Sequence, residues 1–200
     1  RRDNAWLSAL ENVMAEHGVA VAAARLSLCE HLSEISVASD GPFPRARIAA
    51  AGVLEDDLRK GPALAAEDRL RAVLAGNRGL DAESGRSTEG AHRSDLAVAH
   101  IGKDMPAELC STGEQKALLI AIVLAHARLL ARHNGVIPLL LLDEVAAHLD
   151  VERRHALFAD ILEQGAQAWL TGADATLFDE LSPNDAAFYR VQDASMTPLT

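Results

Sequence analysis

Four consecutive leucines, Leu139 to Leu142, run straight into Asp143-Glu144, and this junction limits what the 200-residue chain can fold into. The apolar run begins at Ile137 and contains no polar residue to alternate with the others. An uninterrupted run of this length predicts a strand buried on both faces, as strands of a parallel sheet are. The two acids then fall where the strand leaves the core, at the C-terminal edge of the sheet. Open α/β folds bind their ligands at that edge.

The surrounding elements agree. A long helix is expected from Thr112 to His133, stopped by Asn134-Gly135. After the acids come a helix from Val151 to Gln164, a strand from Gln167 to Thr171, a helix from Thr176 to Leu181 and a last strand from Ala187 to Gln192. Strands alternating with helices of this length predict an α/β fold with a parallel sheet. Asp95 to Ile101 alternates and reads as a further strand.

The N-terminal part reads differently. Residues 3–35 carry Trp6, Leu10, Val13, Met14, Val21, Ala24, Leu28, Leu32 and Ile35 at helical spacing, which predicts a helical arm or hairpin packed on that face. Gly18 is a point at which this helix can break in two. Gly41-Pro42-Phe43-Pro44 is a turn signal. Arg45 to Val53 reads as a strand, Leu54 to Lys60 as a short helix, and Ala65 to Gly76 as a helix with Leu70, Val73 and Leu74 inward. Residues 76–90 read as a loop or a loosely held helix end.

Composition excludes several classes. Hydrophobic residues make up 49% and charged residues 24%, enough for a core, while aromatics at 4% leave Leu, Ala, Val and Ile to build it. The net charge of -10 repels phosphate backbones, so nucleic-acid binding needs a local basic patch or basic residues from elsewhere. Arg45 with Arg47, or Arg128, Arg132 and His133, are candidates, though each reads more readily as solvated surface on a helix or strand. Cys29 and Cys110 have no metal-ligand spacing, and no disulfide framework is expected, which fits a reducing cytoplasm. The chain opens Arg1-Arg2-Asp3 without a secretory leader pattern. The longest apolar run, Ala117 to Ala125, falls short of the ~20 residues needed to span a bilayer, so no membrane role is expected.

Three motifs carry chemistry. Ser111-Thr112-Gly113-Glu114-Gln115 opens the long helix. A helix start offers unpaired N–H groups and partial positive charge to an anion, and Gly113 leaves room for close approach. Ser111-x-x-Glu114 and Thr112-x-x-Gln115 also each fit a capping box, which serves only to start a helix. Asp143-Glu144 is suited to a cation and to an attacking water, the parts that phosphoryl transfer needs; alone, it is also consistent with acids solvating a loop. His148-Leu149-Asp150 follows, with Asp150 positioned to cap the next helix.

In this order the motifs resemble the second half of an ABC-type ATPase, with signature, Walker B and D-loop in turn. Gly90-Ala91-His92-Arg93-Ser94-Asp95-Leu96 and the stretch from Asp143 through Arg153-Arg154 narrow the resemblance to the C-terminal portion of the RecF family, DNA-repair ATPases with such a head. The resemblance divides the chain into a helical arm and lobe II part, residues 1–87, and the C-terminal half of the P-loop NTPase head, residues 88–200. It implies ATP and Mg²⁺ as cofactors, with Asp143 holding Mg²⁺ and Glu144 as the catalytic base. Ser111, Thr112, Gly113, Glu114 and Gln115 would bind ATP in trans across an ATP-dependent homodimer, with Asp150 in the D-loop beside them. It implies single-stranded or gapped double-stranded DNA, RecR and RecO as partners, and roles in replication, recombination and the SOS response. No G-x-x-x-x-G-K-[ST] phosphate loop occurs in these residues. Gly102-Lys103 is followed by Asp104, with Ala97 where the first Gly should be. In the family that loop lies in the N-terminal half, so this chain alone is expected to be inactive. The alternatives are an SMC or Rad50-like head fragment, a non-catalytic interaction module, or an α/β domain whose acids are structural. His92 and Arg93 could meet the arm, a partner or DNA, or form a buried ion pair.

Overall fold

The computed structural model describes residues 4–199, and the opening Arg1-Arg2-Asp3 lies outside them. The chain forms two compact units. One takes the chain through Val37 together with Ala46–Ala107, and the other takes Ala38–Arg45 together with the chain from Glu108 onward.

In the first unit, α1 (Asn4–Val37) is a single uninterrupted helix. Gly18 does not break it. A Cβ there would meet Leu70 Cδ2 at 3.3 Å, so the missing side chain admits α3 (Ala63–Ser84) to close contact. The expected packing face is corrected. Trp6, Leu10, Val13, Met14, Val21 and Leu28 are exposed, Trp6 by 61%. Ala15, Val19 and Ala22 instead pack on Leu54, Ala66, Leu70 and Leu74. The helix carries two apolar stripes, and the one with the smaller residues lets a second helix come close. Leu32 and Ile35 are buried as expected. The third helix outruns its expected end at Gly76 and stops at Gly85, whose φ of 69° is left-handed. Val73, expected inward, is exposed.

Strands β1 (Ala46–Ala51), β2 (Asp95–His100) and β3 (Met105–Pro106) form an antiparallel sheet in the order β1-β2-β3. Ala46, Ile48 and Ala50 face the core. Ser33 Oγ accepts from the Ile48 N–H at 2.6 Å and donates to the Ile48 carbonyl at 2.9 Å, and Ser36 Oγ accepts from the Ala46 N–H. Side chains of α1 thus take up backbone groups of β1 that would otherwise be unpaired. The short helix α2 (Val53–Lys60) follows β1.

Glu11 of α1 is buried, and Arg78 of α3 donates to both its oxygens, at 2.5 and 2.6 Å. That hydrogen-bonded guanidinium holds the Glu11 carboxyl below the usual carboxylate range. A lowered folded-state pKa gives stability that is present above the unfolded pKa and lost as pH falls through the folded one. Arg78→Ala is expected to lower the thermal midpoint at pH 7. The gap to the parent should close as pH is taken downward from about 4. Thermal unfolding across a pH series measures this, and a gap independent of pH would contradict it.

In the second unit, α4 (Thr112–Asn134) ends at Gly135, φ 66°. It is followed by β4 (Leu140–Leu142), α5 (Val151–Gln164) and β5 (Ala168–Leu170). Strands β4 and β5 are parallel, pairing Leu140 with Ala168, Leu141 with Trp169 and Leu142 with Leu170. Ile120, Leu124 and Ala127 of α4 form one core with Leu140 and Leu142 of β4 and with Leu157, Phe158 and Ile161 of α5. Both helices therefore cover the same face of the strand pair. The expectation of a strand buried on both faces is corrected: Leu141 is 73% exposed and its partner Trp169 49%.

Two further expectations change. In place of the helix expected over Thr176–Leu181 there is one 3₁₀ turn, Ala175–Phe178, capped by Asp174, whose carboxylate accepts from the Thr176 N–H and is held below its ordinary pKa by that bond. The last strand, β6 (Phe188–Gln192), does not join the parallel sheet. It pairs antiparallel with β7 (Ser195–Leu199) through Asp193-Ala194, with φ of 50° and 57°. Two positive-φ residues make the primed turn that fits a right-handed twisted hairpin. Cys29 and Cys110 are buried, and no helix among the described residues is long and apolar enough to cross a membrane.

Candidate functional site

Asp143 and Glu144 leave the end of β4 exposed, at the C-terminal edge of the parallel pair. Glu144 has φ 54°. A non-glycine residue in the left-handed region is strained and persists only where its surroundings hold it, a pattern concentrated at functional sites. Thr171 supplies the hold. The register that pairs Leu142 with Leu170 brings Thr171 level with Asp143. The Thr171 N–H donates to the Leu142 carbonyl at 3.2 Å. Its hydroxyl donates to Asp143 Oδ1 at 2.5 Å and accepts from the Glu144 N–H at 2.9 Å. Both acids are therefore tied to one side chain just past the end of β5.

The fit to Mg²⁺ follows from donor chemistry. No group of three or more His, Cys, Asp or Glu among the described residues could hold a metal. Mg²⁺ needs no such cage, since it keeps waters and binds through one or two carboxylates plus phosphate oxygens. Asp143, with one oxygen fixed by Thr171, suits that single-carboxylate role.

At the start of α4 one of the two expected capping boxes is made. Ser111 is the N-cap, and the capping box is made by Ser111 and Glu114: Ser111 Oγ accepts from the Glu114 N–H at 3.4 Å, and Glu114 Oε2 accepts from the Ser111 N–H at 3.1 Å and its hydroxyl at 2.9 Å. Gln115 turns back, its amide donating to the carbonyls of Glu108 and Cys110. Ser111, Glu114 and Gln115 are thus occupied in building the helix start. Thr112 and Gly113 are exposed, and a Cβ on Gly113 would meet nothing within 4 Å. The part of the helix start left exposed is Thr112 and Gly113.

Asp150 caps α5, accepting from the Arg153 N–H at 2.8 Å, and its second oxygen lies 3.2 Å from Arg153 Nη1. Arg153 Nε also donates to the Pro42 carbonyl. His92 and Arg93 are exposed in a 3₁₀ turn, with the His92 ring on the Ser87 carbonyl, so neither forms a buried ion pair. Ser94 donates to the wholly buried Glu55. Of the candidate basic residues, Arg128 is held by Asp160 and Ser39. Arg45 and Arg47 are exposed, the latter 3.9 Å from Asp104. Lys103 lies in a 3₁₀ turn, Ile101–Lys103, between β2 and β3.

No family model matches the chain. It is 51% identical over 199 residues to the DNA replication and repair protein RecF of Mesorhizobium japonicum (strain LMG 29417 / CECT 9101 / MAFF 303099), which covers 98% of this chain and 52% of that protein. It is 48% identical, with the same coverage, to RecF of Brucella abortus (strain 2308). The chain therefore spans about half the length of the curated relatives it matches. Among solved structures, one described as the recombination mediator protein RecF-ATP in the RecFOR pathway superposes with TM-score 0.74 at 20% identity. The match covers 100% of this chain and 52% of that one. A RecF-ATPrS structure gives 0.72, also at 20% identity. The fold of this chain is thus shared with about half of the RecF-ATP chain.

Proposed function

We propose, for a chain that resembles the C-terminal portion of RecF, that these residues are the signature, Walker B and D-loop half of a DNA-repair ATPase. Residues 1–87 serve as helical arm and lobe II part, and residues 88–200 as the ATPase half. The observation that carries the proposal is the tied pair at the end of β4: two exposed acids, one in a strained backbone, both held by Thr171. A merely solvating pair would not need that strain.

ATP with Mg²⁺ supplies the phosphoryl group and the neutralising charge. Asp143 would hold the cation, directly or through water, and Glu144 would orient or deprotonate the attacking water. In the complete protein two heads close over ATP as a homodimer. The phosphate loop and Asp143-Glu144 of one head face the α4 start of the other. Ser111, Glu114 and Gln115 shape that start, Thr112 and Gly113 approach the γ-phosphate, and Asp150 borders it. Closure is driven by contacts that ATP makes only in the closed state. The dimer acts at single-stranded gaps in duplex DNA, with RecR and RecO, to assist recombinase loading in the cytoplasm. The net charge of -10 directs DNA contact to local basic residues such as Arg45 and Arg47, or to the N-terminal half.

The bare face of the strand pair supports the same reading. Parallel sheets are covered on both sides, and Leu141 with Trp169 offers an uncovered apolar face that the N-terminal half can pack on.

The test uses the 200-residue chain alone and the chain mixed with a separately supplied N-terminal half. The chain alone is expected to give no ATP turnover, because the phosphate loop that carries most nucleotide affinity is not among its residues. Mixing is expected to restore turnover. Turnover by the chain alone, abolished by Glu144→Gln, would overturn the assignment of the phosphate grip to the other half.

A further inference from the structure

We infer that Thr171 is a positioning residue for hydrolysis, setting both Asp143 and Glu144 through one hydroxyl; this rests on the reading of those acids given above. Three observations carry it independently of any ligand. Its backbone is fixed in the ladder by the bond from Thr171 N–H to the Leu142 carbonyl, so the side chain stands on a rigid platform. Its hydroxyl makes two bonds whose senses are compatible, donating to Asp143 Oδ1 and accepting from the Glu144 N–H. And the residue it holds by the backbone, Glu144, is in a left-handed conformation that a glutamate does not adopt freely.

The two bonds do different things. The bond to Asp143 fixes one carboxylate oxygen and so the rotamer in which the other faces a cation. The bond from Glu144 N–H holds the backbone that aims the Glu144 carboxylate. A hydroxyl is required for both, since it alone of the β-branched side-chain groups can donate and accept at once. The turn that follows is anchored as well. A Cβ on Gly172 would lie 2.9 Å from Phe178 Cε2, so Gly172 lets the 3₁₀ turn close against the strand end. Thr171 does not touch the reacting atoms; it acts through the two acids.

The experiment uses the full-length protein with Thr171→Val, which keeps the branched shape and removes the hydroxyl, and Thr171→Ser, which keeps the hydroxyl. Thr171→Val is expected to lower kcat by about ten- to a hundredfold, the scale of a small misplacement of catalytic groups. KM for ATP should stay near parental, because phosphate binding is not its task. The Mg²⁺ concentration for half-maximal turnover should rise, and Thr171→Ser should recover most of the rate. Glu144→Gln is the control. If it loses turnover while Thr171→Val keeps the parental rate and Mg²⁺ dependence, the acids stand and the role of Thr171 falls. If Thr171→Ser is as impaired as Thr171→Val, the hydroxyl is not the agent and the inference also falls. Parental turnover in Glu144→Gln brings down both readings.

Discussion

Glu144→Gln in the full-length protein is expected to cut ATP turnover by about a hundredfold or more, the share that a positioned base contributes, while ATP-bound dimers accumulate. The amide keeps the size of the side chain, and the backbone bond from residue 144 to Thr171 does not depend on the carboxylate. Binding should therefore survive where deprotonation of water does not. Size measurements with ATP should show a dimer that persists, where the parent returns to monomer as nucleotide is consumed. A variant that hydrolyses ATP at the parental rate would remove Glu144 from the role of base.

Gly113→Asp is expected to have effects of opposite sign on stability and on assembly. Gly113 is the second residue of α4, exposed, with open space where a Cβ would go. Replacing a helical glycine by Asp there gains only about 0.3 kcal/mol in helix propensity, and a carboxylate at a helix N-terminus adds about 0.3–1 kcal/mol. The protein should unfold at a temperature a few degrees higher. The same carboxylate would stand where a γ-phosphate approaches, and like charges brought together out of bulk water repel strongly. ATP-dependent association should be lost. Ser111 is a poorer probe, because it caps α4 and its substitution removes a bond of the helix start as well. A Gly113→Asp protein that is more stable and still dimerises with ATP would mean that this helix start faces no phosphate.

The elements whose reasons are local were legible from the residues alone. Ser111 and Glu114 announce the start of α4, Gly135 its end, and Asp150 the start of α5, because caps are satisfied within a few residues. The acids at the end of β4 were legible for the same reason. Features set by partners distant in sequence were not. The two apolar stripes of α1 have the same period, and only the small side chains of Ala15, Gly18 and Ala22, meeting Leu54, Ala66 and Leu70, decide which turns inward. The leucine run was read as covered on both faces, whereas α4 and α5 cover one. The hairpin of β6 and β7 turns on Asp193-Ala194, which lacks the glycine that usually marks such a turn. Thr171 was visible as the end of a strand, but its bonds to Asp143 and Glu144 depend on the register of β4 against β5, which no local pattern specifies.

The most direct test of the central claim, that these residues give a base in cis and a helix start in trans, is hydrolysis by mixed protomers. Full-length Gly113→Asp and Glu144→Gln proteins, each inactive alone, are combined with distinguishable tags so that hybrid dimers can be counted. In a two-fold dimer each hybrid rebuilds one intact site from the Glu144 of one protomer and the Gly113 of the other, so turnover should return to at most about a quarter of the parental rate. Hybrid dimers that form and remain as inactive as their parents would contradict the account, because base and helix start would then have to come from the same protomer.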